Sequence, residues 1–330
     1  MVTPPVTPWA PRRVLTTGRA PLNSLGIPFG LAGLSGTWTM AAQTLGVPAV
    51  VGDILWAVTA LAWVGVLVNY AVRVHNHGGG LVADLRHPVQ GPFAALAATV
   101  GMLLGAHYSF DFPTAGRVLV VVCMAVALVF GAWFVVQFTQ GPRDIAHLHA
   151  GYLLPTVAAA FIAGQSAGTF GWSTLSVAAI GVGLLFWCLI GALLLGRMAF
   201  AAPLPAALLP TFAIFSAPPA VAGNAWFAYS GQLDVVQEVL LGTGVLLIAV
   251  QLVMLGAYRR LSFTLGFWAF TFTAASSGTY ALHWLALSDA PGQYLAGWSV
   301  LVLVSVIVGG IAVRSVVYLV HTHLVSLHPR

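Results

Sequence analysis

From about residue 25 to residue 319 the chain runs through long apolar stretches, and its charged side chains are confined to the short gaps between them. Such a chain cannot fold around a water-facing surface: only 6% of it is charged and 59% is hydrophobic, whereas a soluble domain carries roughly 25% charge. The gaps also alternate in sign. All twelve basic residues are Arg. Arg12, Arg13, Arg19, Arg73, Arg86, Arg143, Arg197, Arg259, Arg260 and Arg330 fall on one alternating set of gaps, and Asp53, Asp111, Asp234, Glu238 and Asp289 on the other. The Arg set marks the cytoplasmic side of a membrane. Arg117, on the outer side, is the exception. Arg314, in the last turns of the tenth stretch, can snorkel to the cytoplasmic interface.

A helix needs about 20 apolar residues to cross the hydrocarbon core. Ten stretches qualify: 25–45, 52–74, 92–108, 115–137, 152–170, 173–198, 205–227, 234–258, 262–282 and 295–319. The expectation is an all-α integral membrane protein, multi-pass in the plasma or inner membrane. An even number of spans puts both termini on the cytoplasmic side. Residues 1–24, with five Pro and no apolar run, read as a flexible cytoplasmic tail, and residues 320–330 as a short one. The formal charge of +5 reflects Arg kept at one face; no basic cluster is dense enough to follow a phosphate backbone, so nucleic acid is not expected as a partner. Cys123 and Cys188 lie within apolar runs and read as small core residues.

Odd and even stretches differ in kind. The odd ones carry helix breakers and small residues: Pro28, Pro92, Pro155, Pro210 with Pro218 and Pro219, and Gly266 with "TAASSGT" in the ninth. Pro removes a backbone hydrogen bond and kinks a helix. Freed backbone groups are tolerated at membrane depth only where protein or a water-filled cavity satisfies them. The odd spans are therefore expected to line something and the apolar even spans to face lipid. Five helical hairpins around a central pore follow.

The odd spans hold no Asp, Glu, Lys or Arg away from their ends, which argues against a proton relay or a carboxylate cation site. An anion path stays open, since broken helices can aim N-terminal N–H groups at an anion. Candidate pore-lining polar side chains are Ser35, Thr99, Thr156, Thr211, Thr273 and Ser276; each can equally serve as a helix–helix hydrogen bond. The pairs His75/His77, His147/His149 and His321/His323 are spaced i, i+2, which points them to different helix faces, and lack nearby carboxylates or Cys. They read as solvated loop and interface histidines, with no metal site and no cofactor. No nucleophile elbow, Walker loop or HExxH is present, so an enzyme is not expected.

Four segments occur in order on odd spans: "GIPFGLAGLSGTW" (Gly26–Trp38), "HPVQGPF" (His87–Phe93), "YLLPTVAAAF" (Tyr152–Phe161) and "FWAFTFTAASS" (Phe267–Ser277). With them the chain resembles the tellurite-resistance/dicarboxylate transporter family, which includes TehA-type bacterial channels and the plant guard-cell slow anion channels. The resemblance implies a homotrimer of ten-helix protomers, each a five-fold ring of hairpins whose kinked inner helices form a narrow pore. It implies that a Phe of the ninth helix occludes the pore; the matching position is Phe272, with Phe270 as the alternative. Small anions are the expected partners: chloride or nitrate, or C4-dicarboxylate, sulfite or tellurite. A departure is that the ninth span lacks Pro, so any bend there rests on Gly266 or on packing.

The leading expectation is a passive, Phe-gated anion channel. A proton-linked dicarboxylate or sulfite carrier is the alternative; it needs a titrating group in the path, for which His107 and His283 are the candidates. A membrane-embedded enzyme or metal protein is a third reading, and the i, i+2 histidines do not provide for it.

Overall fold

The computed structural model describes residues 21–77, 80–140, 144–288 and 291–327. No strand occurs among them. The helices are α1 (Gly26–Leu45), α2 (Ala49–His77), a short α3 (Leu81–Leu85), α4 (Ala95–Tyr108), α5 (Pro113–Val136), α6 (Ala159–Thr169), α7 (Ser173–Phe200), α8 (Pro218–Ser230), α9 (Val235–Tyr258), α10 (Ala269–Leu287) and α11 (Gln293–Leu327). Local chemistry sets several ends. Gly46 and Gly231 follow α1 and α8 with φ of 70° and 65°, the left-handed stop that glycine adopts without strain. Asp234 caps α9: its Oδ1 accepts from the N–H groups of Val236 and Gln237 at 3.0 and 3.1 Å. Its Oδ2 accepts from Trp226 Nε1 at 2.7 Å.

The helices sort into two shells. Five are long and apolar enough to cross a membrane: α2, α5, α7, α9 and α11. Only 6–28% of their most apolar windows is buried, and Leu61, Leu128, Val253 and Leu295 are each at least 74% exposed. Outward apolar surface on this scale suits lipid and not water. The other long helices, α1, α4, α6, α8 and α10, are built from small and apolar residues; α1, α4, α6 and α8 are buried along most of their length, and α10 is buried or half-buried up to Leu285. They touch in the closed order α1–α4–α6–α8–α10–α1, a ring of five. Outer helices bridge neighbours in the ring: α2 packs on α1 and α4, α5 on α4 and α6, α7 on α6 and α8, α11 on α10 and α1.

Glycine and tryptophan hold the shells together. Gly30 and Gly33 of α1 lie so close to Thr271, Phe272 and Ala275 of α10 that neither leaves room for a Cβ. Thr37 Oγ1 then donates to Ala275 O across the same seam at 3.0 Å. Indole N–H groups tie outer helices to inner ones: Trp63 to Ala97 O at 2.9 Å, Trp38 to Ser305 Oγ at 3.1 Å and Trp268 to Ser315 Oγ at 2.8 Å. In hydrocarbon these polar pairings and close contacts replace the hydrophobic force that would operate in water.

Several expectations change here. Arg12, Arg13, Arg19, Arg143, Asp289 and Arg330 lie outside the described residues, as does most of the N-terminal tail. Within the expected segment 1–24, Leu22–Leu25 begins a 3₁₀ turn with Leu22 and Leu25 buried. At the other end α11 continues to Leu327, past the expected stop at 319. Arg117 rests over the Phe170 ring at 5.8 Å, a cation–π contact that gives this outlying charge a partner.

Candidate functional site

All five ring helices begin at the same end of the molecule, and each begins irregularly. Leu22–Leu25 precedes α1, Gly91–Ala94 precedes α4 and Leu265–Trp268 precedes α10, all as 3₁₀ turns. A 3₁₀ turn and a π turn, Ala150–Leu153 and Leu154–Ala158, lead into α6. Leu209–Ser216, also 3₁₀, leads into α8. Proline accounts for most of this. Pro92, Pro155 and Pro210 are each the second residue of such a segment, within the first turn, where the missing N–H would have had no intrahelical partner. Pro28 lies in the first turn of α1 and Gly266 within the turn before α10. Pro28, Pro92, Pro155, Pro210 and Gly266 thus lie in entry turns at one end, while Pro218 and Pro219 open α8 after its eight-residue 3₁₀ segment.

These entry turns enclose a cavity of about 300 Å³. Its wall takes Asn23, Gly26 and Phe29 from α1 and its entry turn, Gln90, Phe93 and Leu96 from the segment leading into α4, and Leu153, Leu154 and Val157 from that leading into α6. The α8 and α10 segments add Thr211, Ile214, Ala217, Thr264, Gly266, Trp268, Phe272 and Thr273. None of its wall residues is ionisable. Helix N-termini leave backbone N–H groups without intrahelical partners, and the parallel macrodipoles place partial positive charge there. Side-chain acceptors take up some of these N–H groups: Thr264 Oγ1 accepts from Gly266 N–H at 3.3 Å, His149 Nδ1 from Gly151 N–H at 3.1 Å, Gln90 Oε1 from Asn23 N–H at 3.0 Å and His87 Nδ1 from Val89 and Gln90 N–H at 3.1 Å, while the turn at Leu209 has no side-chain cap. The hydroxyls add little: Thr211 Oγ1 donates to Leu208 O at 2.6 Å and Thr273 Oγ1 to Ala213 O at 3.2 Å. The cavity is therefore uncharged in its side chains, and the helix beginnings around it turn their positive dipole ends toward it.

Two aromatic rings stand at its inner limit. Phe29 is the last α1 residue of the wall, and Phe272 lies one residue before the last from α10. Their rings are stacked, with centroids 3.6 Å apart and planes 15° from parallel. Phe272 is 8% exposed and Phe29 6%. The space for the Phe272 ring comes from Gly33, where a Cβ would meet it. Phe270 points elsewhere, edge-on to Tyr258 of α9.

Of the six polar candidates, the structure brings only Thr211 and Thr273 to this cavity. Ser35 pairs with Thr59 of α2 at 3.1 Å and so faces the outer shell. Thr99 donates to Ala95 O of its own helix. Ser276 lies at the α8–α10 seam, where its carbonyl accepts from Asn224 Nδ2 at 2.9 Å. Thr156 lines an apolar groove of about 600 Å³ between α5 and α7, on the far side of the ring wall. His107 stacks on Trp56 and His283 on Phe227, both outside the cavity.

His149 corrects the reading of solvated histidines. It is 1% exposed, its Nδ1 accepting from Gly151 and its Nε2 facing Val89 O at 3.1 Å. Burial above all holds its pKa down to about 4, with Arg197 and His147 lowering it further and the Val89 contact opposing them. It is a neutral strut that ties the α4 entry turn to that of α6. Phe29, Asn23 and Gln90 do not stand out in the sequence, and His149 does so only as half of the i, i+2 pair with His147. A signal for Phe29 is nonetheless there, in the glycines that follow it at helical spacing in "FGLAG".

Comparison with known proteins gives this arrangement a family. The model of the voltage-dependent anion channel family matches residues 19–321. The chain is 27% identical over 263 residues to the tellurite resistance protein TehA homolog of Haemophilus influenzae, covering 79% of this chain and 80% of that protein. It is 24% identical over 274 residues to the S-type anion channel SLAH2 of Arabidopsis thaliana, covering 79% of this chain and 52% of the plant protein. The match therefore spans about half of SLAH2. With a family match over nearly all its length, the chain belongs to the voltage-dependent anion channel family.

Proposed function

We propose that this protein is a passive channel for small anions, such as chloride and nitrate, occluded by the ring of Phe272. The observation that carries the reading is the cavity formed where five parallel helices begin, with backbone N–H groups around it and no ionisable side chain in its wall. Anions enter such a site against a lowered Born cost, because fixed dipoles replace part of the lost hydration. Cations meet the same dipoles with the wrong sign. Selection then rests on width and weak positive potential, with no tight binding step to slow release. A wall without titratable groups favours uncoupled flow over proton-linked transport. The stacked Phe29 and Phe272 rings, at the inner limit of the cavity, form an apolar barrier that an anion cannot pass until Phe272 turns aside.

In this reading the protomer crosses the inner or plasma membrane ten times, with the cavity opening to the cytoplasm, both termini on that side, and three copies assembling. The relatives named for tellurite resistance and for S-type anion conduction support anions as the cargo. The deciding experiment is current in planar bilayers from the purified protein and from Phe272→Ala, with chloride, nitrate and malate compared. The expected result is little current from the native chain and a large, anion-selective current from the variant. Silence from both, with proton-linked malate uptake in liposomes, would overturn the channel reading in favour of a carrier.

A further inference from the structure

One charged side chain is buried deep in the molecule and its charge is not cancelled. Arg197, in the last turn of α7, is 2% exposed. Its Nε has no hydrogen-bond partner, and no ion pair to its guanidinium occurs among the described residues. Removing a cation from water without a partner costs several kcal/mol. The C-terminal dipole of α7 offsets part of this, but neither burial nor position is explained by stability alone.

Its placement supplies a reason. Arg197 shares a buried face of α7 with Ile190 and Leu194, and α7 packs against the two entry turns of α6, Ala150–Leu153 and Leu154–Ala158. Leu153, Leu154 and Val157 of those turns form part of the cavity wall. The guanidinium thus lies one packing layer behind the wall, at the end where all five ring helices begin. Its charge is felt at His149, on the same entry segment. Across a layer of roughly 10 Å, a charge in a partly apolar surround still acts on the cavity with an energy well above thermal noise. Burial also shields it from the salt that screens Arg86, Arg259 and Arg260 at the surface.

We propose that Arg197 is the selectivity charge of this pore: a guanidinium that never touches the permeating ion but raises anion over cation entry through the wall behind which it is buried. The inference rests on the channel reading above and adds to it the residue that sets its sign preference beyond the helix dipoles.

The test uses the full chain with Phe272→Ala as the conducting background, in planar bilayers under a potassium chloride gradient. Reversal potential gives the chloride-to-potassium permeability ratio, which a merely structural role of Arg197 would not move. Adding Arg197→Gln should lower that ratio by about five- to tenfold, and Arg197→Lys should restore it to within about twofold. Leu194→Glu, three residues earlier on the same face, is a second route: with Arg197 intact, its carboxylate pairs with the guanidinium and should lower the ratio in the same way. It decides the matter where the Gln variant does not fold. A conducting Arg197→Gln or Leu194→Glu protein with an unchanged ratio overturns this inference and leaves the channel reading standing. A background that passes no current overturns both.

Discussion

At the scale of single residues, the site turns on which way side chains point around each helix. Phe272 is identifiable through its motif. Its partner Phe29 is not, because stacking is made by two helices far apart in the chain. If the pair acts as one barrier, Phe29→Ala removes the surface against which Phe272 rests. The expected outcome is a current smaller than that of Phe272→Ala, and a double variant that conducts no more than Phe272→Ala alone. Bilayer recordings of the three variants check this; independent, additive currents would separate the two rings. The polar candidates teach the same lesson from the other side. Ser35 and Thr99 satisfy their hydroxyls within the helix or against α2, as hydroxyls in a membrane helix do when no water is at hand. Sequence spacing places them on a helix but does not say how the helix is rotated.

At the scale of elements, the fold depends on close seams and on one buried imidazole. Gly223 of α8 faces the Tyr280 ring, which is held in place because its hydroxyl donates to Gln237 O at 2.9 Å. A Cβ at 223 cannot be accommodated without breaking that bond. Gly223→Ala should therefore cost about 1–3 kcal/mol, as overpacking does, whereas Gly242→Ala, with open space around it, should be neutral. Thermal melting in detergent distinguishes them. His149 supplies a pH dependence. Its folded pKa is lowered from 6.5 to about 4, chiefly by burial. Above pH 6.5 the ring is neutral in both folded and unfolded chains. As pH falls from 6.5 towards 4 the unfolded chain takes up a proton that the folded site resists, so up to about 3 kcal/mol of stability is lost across that window. His149→Gln should remove that part of the slope in melting curves recorded from pH 7 to 4.5. The alternation of Pro-bearing and purely apolar stretches is legible in the chain itself, because each breaker acts on its own span. The 3₁₀ and π character of the entry turns is not, since where a freed carbonyl finds its partner depends on the neighbouring helix.

For the whole molecule, the charge pattern and the cavity share an axis. The described Arg73, Arg86, Arg197, Arg259 and Arg260 lie toward the end where the ring helices begin, and Asp53, Asp111 and Asp234 toward the other. If that Arg-bearing end is cytoplasmic, a membrane-impermeant thiol reagent applied to intact cells should label Asp111→Cys and should reach Asp144→Cys only after lysis. Both variants are made in a chain whose Cys123 and Cys188 are replaced. Both wild-type positions are exposed loop or turn residues, so labelling reports sidedness and not burial. Labelling of position 144 from outside would invert the orientation and point the cavity away from the cytoplasm.

The medium and the plan of the molecule are written in the order of its residues. Scarcity of charge demands lipid, the alternation of Arg with Asp and Glu is what the proposed sidedness rests on, and the recurrence of breakers in every second span separates wall from cladding. These follow from the cost of burying charge and backbone in hydrocarbon, which acts on each segment locally. It took the packing of helices against one another to bring five irregular beginnings to one cavity, to stack Phe29 on Phe272, and to turn Thr156 and Ser35 away from it. The same packing buries Arg197 and His149 behind the wall. Those outcomes depend on helix rotation and on contacts between residues as much as about 240 positions apart, which no local periodicity encodes.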